Sequence, residues 1–376
     1  MRTASNILHL GIKELRSLYR DPIMLALIVW AFSFAVYTAA TAVPDTLSRA
    51  TIAITDEDRS PLSTRISSAF YLPYFVPPEL IDRAQTDERM DAGRSTFALD
   101  IPPSFQRDLL ARRRPTIQLN VDATTITQAF TGSGYIQSIV SGEVNAFLRR
   151  YRATEQLPVD LALRVRYNPQ LSRSWFYSVV EVINQVTLLS VTLTGAALIR
   201  EREHGTLEHL LVMPLTPFEI MAAKVWSMAL VVLVACGLSL TLVVQGLLGV
   251  PFQYQGAVPL FLAGAAVNLF ATTSMGIFLG TVARSMPQFG LLVILVIVPL
   301  QMLSGGFTPR ESMPEFVQIV MLAAPTTHFV SLAQAILFRG AGLSVVWPQL
   351  LAMGVIGACL FGYALTRLRR TLSAAT

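Results

Sequence analysis

From Val225 to Ala283 the chain reads VWSMALVVLVACGLSLTLVVQGLLGVPFQYQGAVPLFLAGAAVNLFATTSMGIFLGTVA, 59 residues without a charge. About 20 apolar residues cross the roughly 30 Å hydrocarbon core of a bilayer, so this run is too long for one crossing. Pro251-Phe252-Gln253-Tyr254-Gln255-Gly256 interrupts it, and the run predicts a hairpin of two spans. Working outward, uncharged stretches at 285–309 and 344–366 add two more spans downstream. Upstream, 182–199 extends back through Glu181 to Trp175, and 22–43 is charge-free. Hydrophobic residues make up 53% of the 376, charged residues 14%, and the mean hydropathy is +0.52. The expected fold is an α-helical integral membrane protein with six transmembrane helices and both termini on one side.

Basic residues near the spans set the orientation, counted over short segments only. With the N-terminus inside, eleven fall in the cytoplasm (Arg2, Lys13, Arg16, Arg20, Arg200, Arg202, Lys224, Arg284, Arg367, Arg369, Arg370) and two, Arg310 and Arg339, outside. Residues 1–21 read as an amphipathic interfacial helix, with Ile7, Leu8, Ile12, Leu15 and Leu18 at helical spacing and a basic opposite face. The chain turns in at Asp21-Pro22. Ala40-Thr41-Ala42 resembles a signal-peptidase site, but 22 apolar residues exceed the about 7–15 of a cleaved signal, so 22–43 reads as an uncleaved first span.

Residues 44–174 hold 16 arginines and 15 acidic residues, a nearly neutral, water-soluble unit inserted between spans one and two. Apolar alternation at 51–54, 96–101, 116–121 and 161–165 predicts short strands, and helical patterns cover 104–112 and 125–151. A mixed α/β domain on the extracytoplasmic side is expected. Its runs Arg112-Arg113-Arg114 and Arg149-Arg150 read as a solvated face balanced by acidic neighbours.

Several chemistries are excluded by counting. Lys13 and Lys224 are the only lysines and neither follows a glycine, so no phosphate-binding G-x-x-x-x-G-K-[ST] loop exists in the chain. Cys236 and Cys359 lie in apolar runs, and no His or Cys cluster has ligand spacing, so neither a disulfide framework nor a metal site is expected. His204, Glu208 and His209 miss the H-x-x-E-H zinc signature by one residue, and Ser304 and His328 lack the context of a protease pair. No catalytic residue is assigned. Inside the second span, Glu181, Asn184 and Gln185 share a face by i, i+3, i+4 spacing and are candidates for a substrate path or subunit contact. Asn268, Thr272, Thr273 and Gln301 read as helix-packing contacts.

The loop after the second span, Arg200-Glu201-Arg202-Glu203-His204-Gly205-Thr206-Leu207-Glu208-His209-Leu210-Leu211-Val212-Met213-Pro214, predicts a short amphipathic helix stopped by proline. Thr216-Pro217-Phe218-Glu219 then has the pattern of a capping box opening the third span. Residues 201–214 with Lys224 resemble the coupling segment of type-2 ABC exporter permeases, in layout closest to the multidrug-type inner-membrane permeases of Gram-negative bacteria. Leu303-Ser304-Gly305-Gly306-Phe307-Thr308-Pro309 to Met313-Pro314 resembles that family's turn after the fifth span, and Asn168-Pro169 to Trp175-Phe176 its entry to the second.

The resemblance implies a permease with a transmembrane domain at 175–376. In it Glu201, Glu203, Gly205, Thr206 and Glu208 of a coupling helix at 200–214 would face an ATP-binding-cassette subunit. Gly305, Gly306, Pro309 and Pro314 would form an outer gate turn. It further implies two ATPase subunits carrying ATP and Mg, a second permease copy, and a periplasmic adaptor as a candidate partner, with no cofactor on this chain and no nucleic acid. The segment 310–343 contains two apolar helices too short to cross, joined at Ala324-Pro325, which fit a re-entrant pair. An ion-gradient-driven secondary transporter is the rival class; it usually shows related halves and intramembrane charges, and spans three to six carry none.

Overall fold

The computed structural model describes residues 2–42, 49–122, 126–151, 172–203, 215–252 and 256–373. The chain divides into two compact units, Met1–Val43 with Val165–Thr376, and Pro44–Arg164. The strand read at 161–165 lies outside the described residues, as does Asn168-Pro169.

In the first unit, α1 (Arg2–Tyr19) is followed by α2 (Pro22–Thr41). Asp21 caps α2: its carboxylate accepts from the Met24 N–H at 3.1 Å and proline fills the first turn, where a missing N–H is harmless. After the second unit come α7 (Arg173–Glu203), α8 (Pro217–Leu247), α9 (Ala257–Val282) and α10 (Met286–Met302). The unit ends with α11 (Glu315–Met321), α12 (Pro325–Phe338) and α13 (Leu343–Ser373). α8 opens on the expected capping box, Thr216 accepting from the Glu219 N–H while the Glu219 carboxylate accepts from the Thr216 N–H at 2.7 Å.

Among the described residues, five helices are long and apolar enough to span a bilayer: α2, α7, α8, α9 and α13. The stretch read as a span at 285–309 is helical for 17 residues only, about 25 Å, because the chain turns at Ser304–Pro309. α11 and α12 are bent by 91° at Ala324-Pro325, where proline cannot continue a helix.

α7 is the axis of this unit, and its buried face meets α9 at backbone distance. A Cβ added at Gly276 would lie 2.5 Å from the Val191 carbonyl oxygen, and one at Gly280 would lie 3.2 Å from that of Gly195. Small residues permit this approach, and the Ser190 hydroxyl crosses the same seam to Thr272 at 2.7 Å. Gln301 of α10 donates to the Asn184 carbonyl at 3.0 Å, so Thr272 and Gln301 are packing contacts as read. Thr273 instead bonds its own helix, and Asn268 is buried without a side-chain partner among the described residues.

The second unit is a four-stranded sheet of order β2-β1-β3-β4, with β1 Ile52–Asp56, β2 Glu79–Leu80, β3 Phe97–Ile101 and β4 Gln118–Val121. β1 pairs in parallel with β2 and β3, and β3 antiparallel with β4. Around it lie α3 (Pro61–Ser68), α4 (Thr86–Asp91), α5 (Phe105–Leu110) and α6 (Ile126–Tyr151). Ile54, Leu62, Ile66, Phe97, Leu99 and Ile136 form the core. Arg65 on α3 clamps Glu143 on α6 at 2.7 Å. Gly132 admits the Phe97 ring, which an added Cβ would meet at 2.2 Å, so the glycine interruption in α6 is a seat for the sheet. The three described strands read from alternation form; β2, two exposed residues long, carries no alternation to read.

Gly276→Ala should force α7 and α9 apart and lower stability by about 1–3 kcal/mol, the overpacking range. Gly290→Ala, where an added Cβ meets nothing within 4 Å, should change it little. Chemical unfolding of the purified chain in mild detergent measures both.

Candidate coupling site

Lys224 lies two turns into α8, and its side chain is 2% exposed. A buried ammonium is tolerable only when paired. Its Nζ lies 2.9 Å from Glu14 Oε1 of α1 and 2.8 Å from Glu201 Oε2 at the end of α7. Lys13 closes the group from the rim, 3.2 Å from Glu201 Oε1. Two ammoniums and two carboxylates make the cluster formally neutral. Burial pushes the Glu14 carboxyl above its ordinary value, with Lys224 pulling the other way.

Two further contacts fix α1 in register on α8. The Trp226 indole N–H donates to the Ile7 carbonyl at 3.2 Å, its ring filling the space where a Gly11 Cβ would sit at 2.1 Å. Asn6 donates to Glu219 Oε1 at 3.1 Å, so the carboxylate that caps α8 also holds the start of α1. The hydrophobic spacing of α1 thus serves a seat on the protein itself, with Leu18 buried and Leu8 and Tyr19 exposed.

The last turn of α7 is tied on every side. Arg200 pairs with Asp21 at 2.9 Å, the Arg202 guanidinium donates to the Ala283 carbonyl, and Glu203 Oε1 accepts from the Met286 N–H at 2.9 Å. The Met24 N–H, with Arg200 adding to it, holds the Asp21 carboxyl below the usual carboxylate range.

These contacts give Glu201 and Glu203 partners within the chain. The helix that carries them is the continuous α7 rather than a separate one beginning at 200, because its apolar seam and ion pairs keep residues 200–203 in register. Glu201 turns inward to Lys224 and its side chain is 11% exposed. Glu203 caps α10, where a negative charge meets the positive end of the helix dipole. Gly205, Thr206 and Glu208 belong to 204–214, outside the described residues.

Elsewhere, the Gln185 amide donates to Glu181 Oε1 at 2.6 Å, while Asn184 and Gln185 are buried and Glu181 half-buried. The spacing brings this pair together on α7 beside α10. Gly305 has φ +93°, a left-handed turn position suited to glycine, and a Cβ on Gly306 would sit 3.2 Å from Val180. Pro309 precedes a short 3₁₀ turn and Pro314 the start of α11. Glu14 is the residue sequence reading missed, although a lysine at the head of an apolar span signals a counter-charge from elsewhere.

A family profile of ABC-2 family transporter proteins matches residues 22–366. The chain belongs to the ABC-2 transporter family. It is 62% identical over 372 residues, 99% of each chain, to the inner membrane transport permease YhhJ of Escherichia coli K12. To the probable multidrug ABC transporter permease YbhR of the same strain it is 27% identical, over 95% of this chain and 96% of that one. The probable multidrug ABC transporter permease YbhS matches at 25% identity over 88% of each. As an ABC-2 member, this chain is the membrane subunit of an ABC transporter, a transport subunit rather than an enzyme.

Removing one partner of a buried pair costs about 3–5 kcal/mol, so Lys224→Met should strongly destabilise the subunit. Adding Glu14→Gln and Glu201→Gln should recover most of the loss; unfolding in mild detergent reads both, and no recovery would separate Lys224 from the two carboxylates. For Asp21, a lowered folded pKa means stability present above the ordinary value of 3.8 and lost as pH falls through the folded value. Asp21→Ala should therefore cost about 1 kcal/mol at neutral pH. Its gap from the parent protein should narrow in acid.

Proposed function

We propose that this ABC-2 subunit is the permease of an exporter that moves a hydrophobic or amphipathic substrate out of the cytoplasm, driven by ATP hydrolysed with Mg on separate ATPase subunits. Two permease copies form the path. The observation that carries this reading is the buried cluster of Lys224, Glu14 and Glu201, which ties three helices together just before residues 204–214 in the chain. A push delivered to 204–214 by a soluble partner acts on α1, α7 and α8 together. Gly205, Thr206 and Glu208 are the proposed contacts to the ATPase.

The subunit sits in the inner membrane with both termini cytoplasmic and the α/β unit on the far side, as the eleven-to-two division of basic residues favours. Six crossings are formed by α2, α7, α8, α9, α10 and α13, with α11 and α12 as the re-entrant pair. Glu181, Asn184 and Gln185 border the path, and the Gly305 to Pro314 turn closes its outer end. The names of the two more distant relatives extend the substrate class to drugs, and a periplasmic adaptor would complete the route across the envelope.

Cysteines placed at the exposed Ser138 and Ser344, with Cys236 and Cys359 replaced by alanine, should react with a membrane-impermeant thiol reagent in spheroplasts. A cysteine at Thr206 should not. In reconstituted vesicles, export should require the ATPase and ATP and be lost in Glu208→Ala. Transport that instead follows an imposed proton or sodium gradient without the ATPase would sink the exporter and favour Glu181 as an ion-coupling group.

A further inference from the structure

Between the turn after α10, the start of α7 and the helix α12 lies a cavity of ≈ 380 Å³. Its lining combines the apolar Phe176, Phe307 and Val330 with the polar Arg310, Arg339 and Thr327. The polar groups are left with donor capacity. Among the described residues, Arg310 Nε is buried without a hydrogen-bond partner, and its Nη2 reaches the Gln318 carbonyl at 3.4 Å. Thr327 Oγ1 is also buried and unpartnered, in a residue 3% exposed. The Arg339 guanidinium makes no hydrogen bond or ion pair among the described residues. Glu311 lies on the same rim without pairing to either arginine.

A buried N–H without an acceptor is costly, and a guanidinium fork matches the oxygens of phosphate or carboxylate. An oxyanion matches these donors. Its depth in the membrane follows from the aromatic residues. Trp175, Phe176 and Tyr177 cluster at the start of α7, where Phe176 stacks on Phe338 with ring centroids 6.3 Å apart. Tryptophan and tyrosine at a span end sit at headgroup level. From below, Leu291, Ile294, Leu295, Val298 and Met302 form an exposed stripe along α10 that runs up to the turn. An acyl chain fits such a stripe.

We propose that this cavity binds the oxyanionic headgroup of a membrane amphiphile, with its tail along the exposed face of α10. Arg310 and Arg339 hold the charge, Thr327 donates a third hydrogen bond, and Phe176 and Phe307 cover the glycerol region. The site goes beyond the exporter reading, because binding needs neither an ATPase nor a transport direction.

The test uses the purified full-length chain in neutral detergent, titrated with short-chain phosphatidylglycerol and read as a shift in thermal unfolding. Saturable stabilisation is expected, absent with diacylglycerol of the same chain length and with inorganic phosphate at equal concentration. Arg339→Gln and Arg310→Gln should each weaken binding about tenfold, as loss of a charge-assisted contact implies. Arg284→Gln should leave it unchanged. Arg339 is exposed and its side chain makes no hydrogen bond or ion pair among the described residues, so its variant keeps the test valid if Arg310→Gln is unstable. Equal binding of diacylglycerol, equal binding of inorganic phosphate, or full affinity in Arg339→Gln would each overturn the assignment.

Discussion

The Lys224 ammonium is held out of water, and the end of the helical unit around it is arranged to make that possible. Two carboxylates reach it from different parts of the chain, Glu14 from α1 and Glu201 from α7. A charge in such a place is strongly favoured only with good geometry and several partners. That requirement sets where α1 lies, because a shift of one residue along α8 would carry Glu14 about 100° around its helix and away from the ammonium. The Trp226 to Ile7 bond and the Asn6 to Glu219 bond hold the same register.

From this cluster α7 carries the constraint through the membrane region. At one end its last turn is bonded to the α2 cap, to α8, to the end of α9 and to the start of α10. Midway, Gly195, Gly276 and Gly280 bring α7 and α9 to backbone contact, which leaves little freedom to slide. Further along, Asn184 receives Gln301 and Gly306 packs on Val180. Residues distant in sequence are locked together at these seams, because close packing leaves no room for gradual deformation.

The α/β unit shows the same logic on a smaller scale. β1 is central and buried on both faces at Ile52, Ala53 and Ile54, as a strand with a parallel neighbour on each side must be. Asp56, at its end, accepts from the Asp58 and Arg59 N–H groups and from the Ser63 hydroxyl, so one carboxylate shapes the turn into α3. The Ser60-Pro61 start of α3 carries a capping box whose third residue is serine rather than the usual glutamate.

What could be read without coordinates were the features set by neighbours in the chain. The apolar runs, the capping box at Thr216-Pro217-Phe218-Glu219, the entry at Asp21-Pro22 and the break at Ala324-Pro325 depend on residues within a few positions of one another, and each appears in the structure. Helix lengths were less legible, since the uncharged stretch 285–309 gives no sign that the helix stops at Met302. The roles of Glu201 and Glu203 were not legible at all. Alternating charges in Arg200-Glu201-Arg202-Glu203 look like an exposed surface, yet one carboxylate is buried against Lys224 and the other caps a helix 83 residues away. The sequence alone determined that the chain enters a membrane and where its helices begin, because hydrophobicity and capping are local. Only the tertiary structure decided which charges face inward and which helices form one body, because a buried ion pair exists only once distant segments have met.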